Sequence, residues 1–472
     1  MRRAFTVTSA SFALSAAVAC ATSEDRAPLS PPNDPDPTVL QEAGAPEDAP
    51  IDTSPPVVPT CSTAGWCMTT LPDGDLTLMD IWPFESRAFA IAESPTLGVK
   101  VLEWDEKAHS WSYIDDNSQN TFESDAYAGK IWAPSENELY FGVGPAFIYH
   151  GKRAAPGSPW TWQRSQLEDN SADGHPERDH GRIEYWNPNW DPVRVTALGV
   201  WGTSADDVYA WYSNTIFHWK SVDGGAPSWV PEHVIEDPDT PEDSFFVFAA
   251  GGSSADDVWF AGGRGRFDWH LYRCPMVIHR AGGTYDRLVD NVIGTADDYT
   301  HYYNTCIEKE DVLGFSWAND RGTMHWGDGG FFTNIQSAGP GRVVGIVGGE
   351  LFAYVESGEA PLARVNRVVA QVPRDFPPSV VNSVWIQGAK AYLSGWGVVL
   401  ETPNDPAKWS TGFGLLSEDG AHSLGLDAPT YAFSPTAING SPLDKPLYQV
   451  RGTSNTNLWA IGLQNALHKT TP

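Results

Sequence analysis

The stretch GVWGTSADDVYAWYSNTIFHWK, Gly199–Lys220, recurs imperfectly about seven times along the chain. Its core is a turn of the form S-x-x-[DEN]-[VL]-[YW]. That turn reads SENELY at Ser135–Tyr140, SADDVY at Ser204–Tyr209, SADDVW at Ser254–Trp259 and SNTNLW at Ser454–Trp459. Ser, Asp and Asn side chains bond nearby backbone N–H groups and so favour a tight turn. The β-branched and aromatic residues that follow favour a strand. Shortened turns are ESRAF at Glu85–Phe89 and GAKAY at Gly388–Tyr392, and PGRVV at Pro340–Val344 is degenerate.

Each unit contains further strands. Pairs such as Ile81-Trp82, Ile131-Trp132, Val200-Trp201 and Val384-Trp385 precede most of the turns. Third strands begin near Val101, Phe147, Ile216, Val277, Leu351, Val399 and Ala466. Fourth strands begin near Trp111, Trp160, Trp229, Tyr285, Leu362 and Trp409, which is one fewer. The missing one is AGWCMTT, Ala64–Thr70, at the other end of the chain. The pattern therefore predicts an all-β fold, a seven-bladed β-propeller of four-stranded antiparallel blades, with six or eight blades as alternatives. The N-terminal strand closes the last blade and removes a fraying edge.

The chain has 472 residues, with 21 Trp, 44 Gly and 37 Pro, which suits short strands joined by turns. Its formal charge of −30 excludes nucleic acid as a partner, because phosphates need clustered Lys and Arg. Arg2 and Arg3 precede an apolar stretch, Ala4–Ala19, too short to span a bilayer. It ends in AVAC, which resembles the lipobox of bacterial lipoproteins; the resemblance implies a lipoprotein-type signal peptide over residues 1–19 and lipidation at Cys20. Cleavage by an ordinary signal peptidase near Ala19 or Ala21, giving a secreted protein, is the alternative. Residues 20–60 are acidic, rich in Pro and nearly free of aromatics, which predicts a disordered spacer. Residues 61–472 then form the propeller. The even cysteine count beyond Cys20 suggests two disulfides in an exported chain. We expect Cys61–Cys67, close in sequence, and Cys274–Cys306.

The repeat resembles those of exported bacterial β-propeller lipoproteins, whose units read like WGTSADDVYAVG. The resemblance covers most of Cys61–Pro472 and implies the propeller fold and an envelope location. It implies no particular activity.

Insertions interrupt the repeat at Leu167–Val193, Gly262–Pro275, Arg287–Phe332 and Gly412–Pro446. All belong to connections on one face of a propeller. Loops on a rigid scaffold are the usual carriers of function. The first insertion offers His175, Glu177, Asp179 and His180, in a loop without helical ligand spacing, and the aromatics Tyr185, Trp186 and Trp190. The blade-4 insertions offer Trp269, Tyr272, Tyr299, Tyr302, Tyr303, Trp317 and Trp326, with Asp298, Asp311, Asp320, His325 and Asp328. The candidate ligand-binding set is Tyr185, Trp186, Trp190, Trp269, Tyr272, Tyr302, Tyr303, Trp317 and Trp326. Such aromatics stack on sugars or partner side chains. Third strands carry His218, His279 and His468 in one register, Tyr149, Ala353, Glu103 and Glu401 in that place elsewhere, and His150 one residue later. These strands lie too far from the axis to converge on one ion, so local packing is expected of the histidines.

No GxSxG, P-loop, dinucleotide fingerprint or HExxH occurs. No catalytic, metal or cofactor residue is therefore assigned. The reading is a monomeric, surface-anchored scaffold, held to the membrane by its lipid alone and binding a protein or carbohydrate ligand. The alternatives are a glycosidase or lyase on the same scaffold and a structural envelope protein.

Overall fold

The computed structural model describes residues 61–121, 126–171, 180–186, 192–268, 270–295, 304–315, 330–349, 351–367, 381–404, 415–416, 422–423, 432–434, 436 and 443–471. Cys20 and the spacer lie outside these, as do all the insertion residues named above except His180, Tyr185, Trp186, Tyr272 and Asp311.

Seven antiparallel sheets follow one another along the chain, six of four strands and one of five. In six of them the order from inner to outer strand is the chain order, and in the seventh the outermost strand is supplied by the N-terminal end. Alternate residues of a strand point to opposite faces. Each sheet therefore sends apolar side chains into two layers, one shared with each neighbour. Seven apolar clusters result, one between every consecutive pair of blades. The expected closure is present. Trp66–Met68 is the outer strand of blade 7, antiparallel to Asn465–Lys469, with Trp66 opposite Lys469. The Thr69 N–H donates to the Ala466 carbonyl at 2.9 Å. Cys61 is bonded to Cys67 beside this strand.

The repeat motif builds both the blade and its junction. In WGTSADDVY the tryptophan covers the inner strand of the next blade. Trp132 lies over Gly202, where a Cβ would meet its ring at 2.9 Å, and Trp201 lies over Gly252 in the same way. A Cβ at either glycine would also meet the carbonyl of the turn's acidic residue, Asp207 or Asp257, at 2.6 or 2.3 Å, so glycine is needed at this place.

The acidic residue of the turn is held by more than its own loop. Asp257 accepts from the Trp259 indole at 2.7 Å and from His279 on the third strand at 2.8 Å. It also accepts from Ser253 and from the Gly341 N–H of blade 5 at 3.1 Å. Trp259 and His279 are opposite each other in the ladder and stack at 3.9 Å. The arrangement repeats in three blades. Glu138 meets His150 at 2.8 Å, Asp207 lies 3.2 Å from His218, and Asn457 meets His468 at 2.9 Å. Tyr140, Tyr209 and Trp459 are the stacking rings. His150 is thus in register with the others, opposite Tyr140. Placing it one residue late counted from the strand start, whereas the ladder aligns it by its partner ring.

The turns lacking an acid carry the opposite charges. Arg87 occupies the place of Asp207 in blade 1 and bonds Glu103 at 2.5 Å, where other blades have histidine. Lys390 and Glu401 do the same in blade 6 at 2.8 Å. In blade 5 the histidine position is held by Tyr354, opposite Val344, and not by the expected Ala353; Arg342 neighbours it.

Two further expectations change. The expected start of blade 6's fourth strand, Trp409, lies outside the described residues. The strand paired with Val399–Pro403 is Ala432–Ser434. Gly262–Pro275 is also not a loop. It lies within two long strands, Asp257–Asp268 and His270–Ala281, paired throughout their length. Burial explains this: an alternating run that buries Arg264 and Tyr272 can continue the sheet.

Replacing Asp257 by Ala leaves an indole N–H, a histidine and a backbone N–H without their acceptor. We expect a loss of roughly 3 kcal/mol in denaturant-induced unfolding. Alanine at the exposed neighbour Asp256 should change stability by less than about 0.5 kcal/mol.

Candidate functional site

The face bearing the insertions is built on blade 4. Its four main strands run to 11 or 12 residues, against six to eight in most inner and middle strands elsewhere. The insertion that follows begins as a continuation of Thr284–Thr295 and returns as a fifth strand, Asn304–Glu308. Cys274 and Cys306 are bonded across it, with Cα atoms 5.5 Å apart, as expected. Tyr272 packs beside this disulfide with Ile293 and is 6% exposed, so it belongs to the core of the extension.

Arg264, fully buried, ties this extension to the body. It donates to Asp290 at 3.1 Å, to Asp243 and Asp237 at 3.0 Å each, and to the Thr240 hydroxyl at 2.9 Å. A single cation cannot neutralise three buried carboxylates, and burying unpaired charge is costly. Arg266 on Asp243, Arg287 on Asp290 and Lys309 on Asp237 balance the remainder. Burial alone would raise the Asp237 carboxyl, but hydrogen bonds from Lys309 and Arg264 outweigh it and hold it at about 2. The network joins three segments: the connection from blade 3, the lengthened strands of blade 4 and the insertion.

The first insertion forms a hairpin, Arg182–Trp186 with Pro192–Thr196. Ile183 packs with Ala197, Phe246, Phe248 and Phe331, so the hairpin lies against the upper part of blade 4. The structure thereby brings two of the predicted insertions together. Tyr185 and Trp186 are on the hairpin's first strand, opposite Val193 and Pro192. Trp190, Trp269, Tyr302, Tyr303, Trp317 and Trp326 lie outside the described residues. Two exposed apolar side chains escaped the sequence reading, Phe267 at 71% and Ile307 at 42%. Phe267 ends the second strand of blade 4 and Ile307 lies on the fifth. Their signal was a strand-like alternation running on past the repeat.

His180 is buried beside Asp169 and Ser171, both 2.7 Å from its Nδ1. A serine nucleophile needs the carboxylate and the hydroxyl on opposite ring nitrogens. Here both face the same one, so the trio closes the base of the loop. Among the described residues no group of three or more His, Cys, Asp or Glu side chains is placed to hold a metal ion. The third-strand histidines differ in their proton affinity. Burial lowers His150, with Glu138 opposing. Asp207 and Glu232 outweigh burial at His218 and raise it. Burial brings His468 down to about 4, with Glu106 opposing and His109 adding to the fall.

No family model matches the chain, and no curated protein matches it. Solved structures similar to it include YCF48 from Cyanidioschyzon merolae, at 10% identity and a TM-score of 0.45, covering 86% of this chain and 99% of that one. YCF48 bound to D1 peptide gives 10% and 0.48, covering 89% and 100%. The WD40 β-propeller domain of Doa1 gives 11% and 0.42, covering 86% and 96%. The fold of this chain stands on its own strand pairings.

The His468 shift carries a pH dependence. Its folded pKa lies below the unfolded value, so the unfolded chain binds the proton first as pH falls. Stability is complete above about 6.5 and is lost between about 6.5 and 4, by roughly 3 kcal/mol. Denaturant unfolding measured from pH 7 to 4 should show this loss, and the His468→Gln variant should show a shallower one.

Proposed function

We propose that this protein is an exported, lipid-anchored binding scaffold that presents the blade-4 face to a protein or glycan. One observation carries the reading. Among the described residues, elaboration is greatest at blade 4, where a disulfide and a buried ion network tie it to the body. Rigid support with exposed apolar groups suits recognition, since little ordering is lost on binding. Phe267 and Ile307 are the described apolar groups on this face, and the hairpin carrying Tyr185 and Trp186 adjoins it. The described acids of the blade-4 network are each bonded to a cation, which leaves them unsuited to proton transfer. The signal-like start and acidic spacer support anchoring through Cys20, in the manner of the exported propeller lipoproteins that the repeat resembles.

Two experiments test this. Glycan-array and surface-protein pull-down screens with the purified protein should yield a ligand whose binding falls at least tenfold in Phe267→Asp, with the fold intact. Binding unaffected by Phe267→Asp contradicts the assigned face. Expressed in a bacterium, the protein should be recovered with membranes, and Cys20→Ser should release it. Unchanged recovery contradicts the anchor.

A further inference from the structure

The motif V-W-G-T-S becomes V-R-G-T-S in blade 7, where Arg451 replaces the inner-strand tryptophan. Its guanidinium is 4.8 Å from the Trp82 ring and 5.7 Å from that of Trp385, on the inner strands of the two flanking blades. Nη1 donates to the Ile81 carbonyl at 2.7 Å, while Nε is buried without an acceptor among the described residues. The Trp385 indole N–H is likewise buried and unpaired there.

Two residues earlier on the inner strands comes the ring Asp80, Lys130, Gly199, Ala249, Asn334, Ser383 and Gln449. Most of its polar members serve the architecture. Asp80, Asn334 and Ser383 accept the Ile131, Val384 and Val450 N–H groups of the following blades at 3.0, 3.1 and 2.7 Å. Lys130 is different. Its stem packs on Gly199 of blade 3, and no hydrogen bond or ion pair to its amine occurs among the described residues. It feels Asp80 of blade 1 and Arg451 of blade 7, and burial pushes its pKa down. Geometry links the same groups: Asp80 accepts from the N–H of Ile131, the residue after Lys130, and lies 3.5 Å from Arg451.

Asp80 Oδ1 also lacks a hydrogen bond and is 3.5 Å from Arg451. An anion beside Lys130 would favour its protonated form; with Lys130 protonated, two cations and one carboxylate leave a single positive charge in a chain of formal charge −30. Buried donors without acceptors, here Arg451 Nε and the Trp385 indole N–H, are costly.

We propose that the propeller axis is a carboxylate-binding site, with Lys130 and Arg451 as its cationic partners. A monoanion completes the charge, whereas a phosphate dianion would overshoot it. The planar carboxylate matches the guanidinium fork, and acceptor oxygens satisfy both Arg451 Nε and the Lys130 amine. The acid is either a small free one or the carboxyl of a larger ligand, such as a uronic acid unit of a glycan. The site is built from inner strands and not from the insertions, so its failure would leave the blade-4 face untouched as a binding surface.

The test is protection of Lys130 from an amine-modifying reagent in the full-length protein at constant ionic strength, quantified by peptide mass spectrometry. Acetate should slow Lys130 modification at least fivefold, with surface lysines unaffected. If an oligouronide also protects, the carboxyl belongs to a larger ligand; protection by acetate alone assigns a small acid. Chloride and phosphate should protect weakly. Equal protection by all anions, by phosphate in preference to acetate, or by none overturns the proposal. In parallel, acetate should raise the Tm of the wild type by several degrees but not that of Lys130→Met or Arg451→Gln. Because the protection measurement uses the wild type, it decides the matter even where a variant fails to fold.

Discussion

Each blade depends on one cross-strand contact between a turn residue and the third strand. In four blades the turn supplies Asp, Glu or Asn and the third strand supplies His, with a Tyr or Trp ring stacked on the imidazole. In blades 1 and 6 the turn supplies Arg or Lys and the third strand Glu. The polarity reverses but the geometry persists. This is expected when the constraint is a half-buried polar pair, because either partner alone would be left unsatisfied. The turn residue also reaches the adjacent blade. Asp257 accepts from Gly341, and Asn457 donates to the Phe84 carbonyl at 2.9 Å. Local turn chemistry and ring closure are thereby the same interaction.

The repeat was legible in the sequence because its period is short and its turn residues are chemically restricted. The closing strand was legible by counting, since one outer strand was missing at one end and present at the other. What escaped was pairing information. The sequence shows Arg87 and Lys390 as departures from an acidic motif. Only the ladder shows that Glu103 and Glu401 compensate for them. His150 was misaligned for the same reason, since its strand starts one residue earlier relative to its partner ring. Gly262–Pro275 reads as a long connection in the sequence because it lengthens the repeat between the second and third strands, and its glycines Gly262, Gly263 and Gly265 are strand residues in the fold. In the fold the first two allow close backbone approach, to the Phe246 and Cys274 carbonyls respectively.

The candidate face was legible only in outline. One-sided insertions pointed to it, and the Cys274–Cys306 pair was correctly expected to bridge it. The sequence also singled out aromatics by type, but type does not give exposure. Tyr272 is core, whereas Phe267 is the exposed ring. The ion network around Arg264 has no sequence signature, because its members are spread from Asp237 to Asp290 and on to Lys309. It explains how long strands projecting beyond the ring stay fixed: burial of the cation is affordable only with every carboxylate in place.

A double-mutant cycle on Asp257 and His279 tests the central claim most directly. The two single alanine variants and the double variant are compared by denaturant unfolding at neutral pH. A structural pair predicts that the second substitution costs about 1–3 kcal/mol less once the first is made. Additive losses, within about 0.3 kcal/mol, would show that the turn and the third strand stabilise the blade independently and would contradict the account.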